Sequence, residues 1–284
     1  MEVPKKIVWL ASYPKSGNTW MRAFLSALLN NGEVDINKMV TKTIFSSRDF
    51  FSEYTDIDST YLTDKEAKQL QPEVFNYLAI TDKSEKIFIK VHDAYTLNQF
   101  NKPIIPTEST FCAIYIIRNP LDIVASLANH TQISINKAVH SLVDDDYCWC
   151  AQNGNINTDI QFRQYLSNWS YHVNSWTLYA PFPVYLIKYE DMVVDTFNTF
   201  KKVVKSIEAD KFNDREILKA IDAAGFAKLQ EQELTSGFKE NFTPKTLPFF
   251  RKGAINNWRE ELDVEQASSI INAHKKIMLK YNYC

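Results

Sequence analysis

Ile7-Val8-Trp9-Leu10-Ala11-Ser12-Tyr13-Pro14-Lys15-Ser16-Gly17-Asn18-Thr19-Trp20 passes from an apolar stretch into a small, polar, basic one. It stops where Met21 to Leu29 begins to place apolar residues at helical spacing. The first part predicts a short buried strand and the part after Trp20 a helix, so the middle is a strand-to-helix loop. A glycine at such a junction frees the backbone to turn sharply, and the first N–H groups of the new helix point outward without intrahelical partners. Backed by the helix dipole, those groups favour an anion. The pattern is not a Walker A loop, in which lysine follows glycine as Gly-Lys-Ser/Thr; here Lys15 precedes Gly17. Taken alone, the loop reads equally as a plain turn with a snorkelling lysine. Trp20 favours the anion reading, because its indole is placed to stack on a purine whose phosphates the loop holds.

Working outward, three further runs read as strands: Ile87 to Val91, Cys112 to Ile117 and Val184 to Ile187, with helical patterns between or after them. The alternation predicts a central, mostly parallel sheet with helices on both faces, an α/β fold in a single domain over residues 1–284. Asn119 is placed to cap a helix, with Pro120 at its first position and Asp122 at N3. Another helix is expected from near Asp191, carrying Val193, Phe197, Phe200, Val204 and Ile207 on one stripe. The last helix opens on an Asp263–Gln266 capping box and continues through Ile270, Ile271, Ile277 and Met278. Residues 30–60 and 235–258 break the pattern and read as irregular lid or binding segments, expected beyond the strand C-terminal ends.

A formal net charge of −2 provides no global basic field for a nucleic-acid backbone, so an anion must be held by local cations and is expected to be small. The N-terminal apolar run is too short for a signal peptide, and no stretch reaches the roughly 18 apolar residues of a membrane span. A cytoplasmic protein without membrane or nucleic-acid partners is therefore expected. Cys112, Cys148, Cys150 and Cys284 show no Cys-x-x-Cys spacing, which argues for reduced thiols over a zinc site or a disulfide framework.

Three other segments carry candidate chemistry. In Ile87-Phe88-Ile89-Lys90-Val91-His92-Asp93-Ala94-Tyr95, strand alternation sends Lys90 and His92 to one side at the C-terminal end, and a histidine there is suited to act as a general base at neutral pH. In Ile116-Ile117-Arg118-Asn119-Pro120, Arg118 ends a strand and Ser126 lies two turns into the next helix, a pair able to hold a phosphate. The bland reading pairs Arg118 with a carboxylate such as Asp122. Arg251 and Lys252 precede Gly253 in a stretch that alone reads as a solvated turn.

Together these residues resemble the sulfotransferases that use 3′-phosphoadenosine-5′-phosphosulfate, from Trp9 to about Trp258. The family's 5′-phosphosulfate loop is matched with Asn18 in place of a threonine; its Lys-x-His by Lys90 and His92; its 3′-phosphate pair by Arg118 and Ser126; and its Arg-Lys-Gly by Arg251, Lys252 and Gly253. Tyr189 and Phe226 fall where family members contact the adenine. The resemblance implies a P-loop nucleoside-triphosphate-hydrolase-like fold, with Lys15, Ser16, Gly17, Asn18, Thr19 and Trp20 on the donor's 5′ side. It assigns His92 as base, Lys15 and Lys90 as charge stabilisers, and no metal. Its product is adenosine 3′,5′-bisphosphate. Two departures stand out: Asn256-Asn257-Trp258 replaces the frequent Gly-Asp-Trp, and the family's usual dimerisation motif is not matched by residues 259–268. A P-loop kinase and a non-catalytic nucleotide-binding module are the competing readings. Phe45, Phe50, Phe51, Tyr54, Tyr95, Trp149, Phe249 and Phe250 suggest an apolar or aromatic acceptor, although each also reads as ordinary packing.

Overall fold

The computed structural model describes residues 2–149, 161–207, 211–241 and 248–284. Its main sheet contains β1 (Ile7–Ser12), β2 (Thr43–Ile44), β3 (Ile87–Val91), β4 (Thr110–Ile117) and, after a small ribbon, β7 (Val184–Lys188). Their order is β2-β3-β1-β4-β7. β1 runs parallel to β3, from Ile7 opposite Ile87 to Ala11 opposite Val91, and β2 is parallel to β3 with Thr43 opposite Ile89. Every residue of β1 is buried, the pattern of a central strand covered on both sides. The intervening ribbon pairs β5 (Cys148–Trp149) antiparallel with β6 (Gln164–Tyr165).

The chain divides into two compact units. The first, Met1–Tyr13, Thr41–Tyr115 and Asp144–Leu186, carries most of the sheet with α2 (Arg48–Thr55), α3 (Asp64–Thr81) and α6 (Trp169–Asn174), which runs on into a π-helical turn at Ser175–Tyr179. Trp9 of β1 meets Phe45 and Phe75 edge-on, and its indole N–H donates to Thr110 Oγ1 at 2.8 Å, so this large side chain is buried without stranding its donor. A capping box between Thr63 and Glu66 starts α3.

The second unit, Pro14–Val40, Ile116–Val143 and Ile187–Cys284, is helical. It holds α1 (Asn18–Leu29), α4 (Pro120–Thr131), α5 (Ile135–Val143), α7 (Tyr189–Val194), α8 (Thr196–Ser206), α9 (Asp214–Ala223), α10 (Phe226–Ser236), α11 (Trp258–Glu261) and α12 (Val264–Lys280). α4 starts as expected, Asn119 accepting from Leu121 N with Pro120 at the first position, and Asp263 with Gln266 forms the capping box of α12.

The helix expected from Asp191 onward is two helices. It breaks at Asp195 (φ −129°, ψ 61°), and Phe200, Val203 and Val204 of α8 are buried while Phe197 is only half-buried. Residues 30–60 are less irregular than expected: β2 and α2 lie within them, α2 capped by Ser47, whose hydroxyl accepts from Phe50 N. Within 235–258, the described residues between α10 and α11 hold no helix or strand, and 242–247 lie outside the description. Cys112, Cys148 and Cys284 are unbridged, and Cys150 is outside the described residues. Among the described residues, no helix is long and apolar enough to cross a membrane.

Candidate active site

All the residues matched to donor binding belong to the second unit. The loop after β1 turns by two left-handed residues, Lys15 at φ 68° and Gly17 at φ 105°. Gly17 is the N-cap of α1 and offers the helix no capping side chain, so the first-turn N–H groups are left to other partners. A Cβ at Gly17 would lie 2.6 Å from the Tyr189 ring, so this position excludes a side chain on both conformational and steric grounds. Tyr189 in turn packs edge-on to Trp20, with ring centroids 6.1 Å apart, and the Arg118 guanidinium sits 4.3 Å from its ring centroid.

Arg118, only 9% exposed, follows directly on β4 and donates to the carbonyls of Lys15 at 2.9 Å and Ala254 at 3.2 Å. It therefore clamps the opening loop to the Arg-Lys-Gly segment. Asp122 does not pair with it: its two oxygens accept from Asn256 N at 2.8 Å and Trp258 N at 3.0 Å. Asn256 has φ 63°, the left-handed conformation that asparagine tolerates better than most side chains. Glu190 accepts from Asn119 N and from the Tyr283 hydroxyl, both at 2.9 Å, and burial pushes its carboxyl up against those bonds.

Gly253, at φ 61°, lies against Phe226, with whose ring a Cβ would clash; the Phe226 match thus falls beside the Arg-Lys-Gly segment. Arg251 pairs with Glu261 at 2.9 Å, and Lys252 with Glu261 at 2.6 Å and Glu260 at 3.8 Å. Burial acts to raise the Glu261 carboxyl, but the two cations outweigh it and hold the group below the usual carboxylate range. With Ala125, Ala128, Asn129 and Gln132 of α4, the helix that also bears the half-buried Ser126, Arg251 and Glu261 line a cavity of about 470 Å³. The Lys15 ammonium stands 4.0 Å from the centroid of Phe249.

Ser16 Oγ, Trp20 Nε1, Arg118 Nε and Trp258 Nε1 are buried with no hydrogen-bond partner among the described residues. A buried polar group left unpaired costs ~1–3 kcal/mol, so four of them in the segments matched to one anionic nucleotide fit its phosphates and polar edges.

His92 and Lys90 belong to the first unit. The β1–β3 register, carried one residue past Ala11 and Val91, brings Ser12 beside His92, and His92 Nδ1 lies 2.8 Å from the Ser12 carbonyl. A carbonyl only accepts, so Nδ1 carries the hydrogen; in the neutral ring the lone pair is then on Nε2, the form a general base requires. The imidazole lies parallel to Trp149, at 11° and 6.1 Å between centroids. Next along the chain, Asp93 is buried and paired with Lys68 at 3.2 Å; burial pushes its carboxyl up while Lys68 opposes the shift. Lys90 is half-buried on β3, one alternation step before His92.

Of the aromatic residues expected at an acceptor mouth, Phe45, Phe50, Phe51, Tyr95 and Phe250 are buried and pack against other rings, the ordinary core reading. Trp149 is the described member of that group in ring contact with His92. The sequence did not single out Glu190, Glu261, Lys68 or His172. Glu190 sits beside Tyr189 in the Tyr-Glu-Asp-Met run, and that adjacency was the one available signal.

The sulfotransferase-domain family model matches residues 5–281, and the chain belongs to the sulfotransferase family. It is similar to sulfotransferase 1C2 of Rattus norvegicus, 23% identical over 286 residues that cover 97% of this chain and 84% of the relative. Sulfotransferase 2A1 of Mus musculus is 24% identical over 287 residues, covering 94% of this chain and 82% of the other. Among solved structures, mouse sulfotransferase SULT7A1 complexed with PAP superposes with a TM-score of 0.61 at 18% identity, over 98% of this chain and 87% of that one. The fold is accordingly an open α/β fold, a parallel sheet flanked by helices.

Proposed function

We propose that this sulfotransferase moves a sulfuryl group from 3′-phosphoadenosine-5′-phosphosulfate to a hydroxyl or amine of a small-molecule acceptor in the cytoplasm. The observation that carries the donor assignment is the set of buried, unpartnered polar atoms of Ser16, Trp20 and Arg118. When bound, the donor supplies an electrophilic sulfuryl group and a nucleotide leaving group. Ser16, Gly17, Asn18 and Thr19 cradle the 5′-phosphate with backbone N–H groups and hydroxyls at the start of α1. Arg118, Ser126, Arg251 and Lys252 hold the 3′-phosphate, and Trp20, Tyr189 and Phe226 provide aromatic surface for the base. Occupation of Arg251 and Lys252 requires the 3′-phosphate to take over contacts that Glu261 now makes.

His92 removes the acceptor proton through Nε2, the nitrogen left basic by the Ser12 contact. Lys15 stabilises charge growing on the bridging oxygen of the leaving nucleotide, and Lys90 supports the transferring group. Lysines and helix N–H groups supply the positive charge in this scheme. An apolar or aromatic acceptor is the preferred class, on the strength of Trp149 beside the imidazole. The test is a transfer assay with labelled donor against phenols, alcohols, amines and sugars beside a His92→Ala control. Transfer by the wild type and none by the variant is expected; magnesium-dependent phosphorylation from ATP would replace this reading with a kinase.

A further inference from the structure

The backbone that carries His92 is held by side chains of a helix more than seventy residues away in the chain. His172 of α6 lies 2.9 Å, through Nε2, from the His92 carbonyl. That oxygen can only accept, so Nε2 bears the hydrogen; Nδ1 is then an acceptor and takes the Tyr115 hydroxyl at 2.8 Å. His172 is fully buried, and burial pushes its pKa down to about 4, so at neutral pH the ring is uncharged and keeps this single tautomer. Tyr13 closes on it edge-to-face, with centroids 5.2 Å apart.

Two neighbours on the same helical face continue the grip. Trp176 Nε1 donates to the Asp93 carbonyl at 3.0 Å, and Ser175 Oγ accepts from Tyr95 N at 3.0 Å. From the other side Tyr165 N donates to Asp93 Oδ1 at 3.1 Å, and Ala94 N donates to the Tyr165 carbonyl at 2.8 Å. Positions 172, 175 and 176 share a face by helical spacing, and the π-helical turn begins at Ser175, where two of the three contacts are made. Turns after a strand are ordinarily among the more mobile parts of a chain. Here consecutive peptide groups from His92 to Tyr95 are each fixed by a buried partner.

We infer that His172 is a positioning residue: with Tyr115, Ser175 and Trp176 it fixes the His92–Tyr95 turn and so aims the His92 imidazole, without itself touching substrate. The inference rests on His92 being the base. Aiming is worth measuring because a displacement of about 1 Å at a reacting group costs on the order of 100-fold in rate.

The experiment compares His172→Phe/Tyr115→Phe, which removes both hydrogen-bonding groups together and strands neither, with His172→Gln, whose amide N–H can still reach the His92 carbonyl, and with Trp176→Phe. The readouts are kcat and acceptor KM, titration with adenosine 3′,5′-bisphosphate, and the His92 tautomer by ¹⁵N NMR of histidine-labelled protein. The double variant is expected to lose ~10- to 100-fold in kcat, with KM and bisphosphate affinity within about 3-fold of wild type, and the His92 signal is expected to leave the pure Nδ1–H form. His172→Gln is expected to restore most of the rate, and Trp176→Phe to fall between. A folded double variant with wild-type kcat and an unchanged His92 tautomer would overturn the inference. If the double variant does not fold, a Trp176→Phe protein that is fully active with an unshifted tautomer overturns it equally. A His92→Ala protein with full activity would instead remove the base assignment, which separates the two failures.

Discussion

The loop around Lys15 and the turn around His92 follow the first and third strands of one sheet, yet they are finished in opposite ways. In the region proposed to bind the donor, buried polar atoms of Ser16, Trp20 and Arg118 have no hydrogen-bond partner among the described residues, and two cations lean on a half-buried carboxylate. Around His92, carbonyls and N–H groups are taken up one after another by buried side chains. Under the proposed function, the difference is that of a site built to bind and release against a site built to aim. A phosphate must find donors that are not already saturated, whereas a base must not move when its proton arrives.

The contrast breaks most sharply at His92. His92→Ala is expected to lower kcat by ~10³-fold or more while leaving adenosine 3′,5′-bisphosphate affinity within about 2-fold, measured by steady-state kinetics and calorimetric titration. Loss of both together would mean that the two regions are not separable in function.

Next in size is the acid sensitivity of the first unit. The ring of His172 has a folded pKa of about 4 against an ordinary 6.5, so below pH 6.5 the unfolded chain binds the extra proton and the native state does not. Stability is therefore expected to be full above pH 6.5 and to fall as pH drops toward 4, by ~3 kcal/mol from this group alone. Denaturant melts across that range, with His172→Gln as the comparison, check it; an equal slope in the variant would assign the effect elsewhere.

On the side proposed to bind the donor, Arg118→Ala is expected to weaken adenosine 3′,5′-bisphosphate by ~30- to 100-fold and adenosine 5′-phosphosulfate by much less, since the proposed charged contact to the 3′-phosphate would be lost. Glu261→Gln acts in the other direction. With the carboxylate neutralised, Arg251 and Lys252 lose their competing partner, and bisphosphate affinity is expected to rise by ~3- to 10-fold at low salt, less at high salt. Weaker binding instead would make Glu261 an orienting group. Smallest of all, Asn256→Gly is expected to change thermal stability by no more than ~0.5 kcal/mol, because both residues tolerate the left-handed turn at φ 63°.

What the sequence disclosed follows the physics of each signal. Buried parallel strands are continuous apolar runs, and β1, β3, β4 and β7 stood out as such; β2 is two residues long and has no pattern to show. Asn119-Pro120 and Asp263–Gln266 are local capping codes, and the structure forms both caps. The break at Asp195 is hidden in the sequence because an apolar stripe continues through it, and only the backbone dihedrals depart from helical values. In the site, glycine and lysine of the opening loop carry a local signature, whereas Glu261, Glu190 and His172 act through partners ten to eighty residues distant. No spacing rule reaches that far. Five of the eight aromatic residues, Phe45, Phe50, Phe51, Tyr95 and Phe250, are buried packing, which the sequence alone does not separate from a ligand-facing role because burial and ligand contact demand the same side chains.

The central claim is that the second unit recognises a nucleotide by its 3′-phosphate as well as its 5′ end. The most direct measurement is a pair of calorimetric titrations of the wild-type protein, one with adenosine 3′,5′-bisphosphate and one with adenosine 5′-monophosphate, both without magnesium. Binding at least ~100-fold tighter for the bisphosphate is predicted, the loss reflecting several charge-assisted contacts. Equal affinity for the two nucleotides would contradict the account.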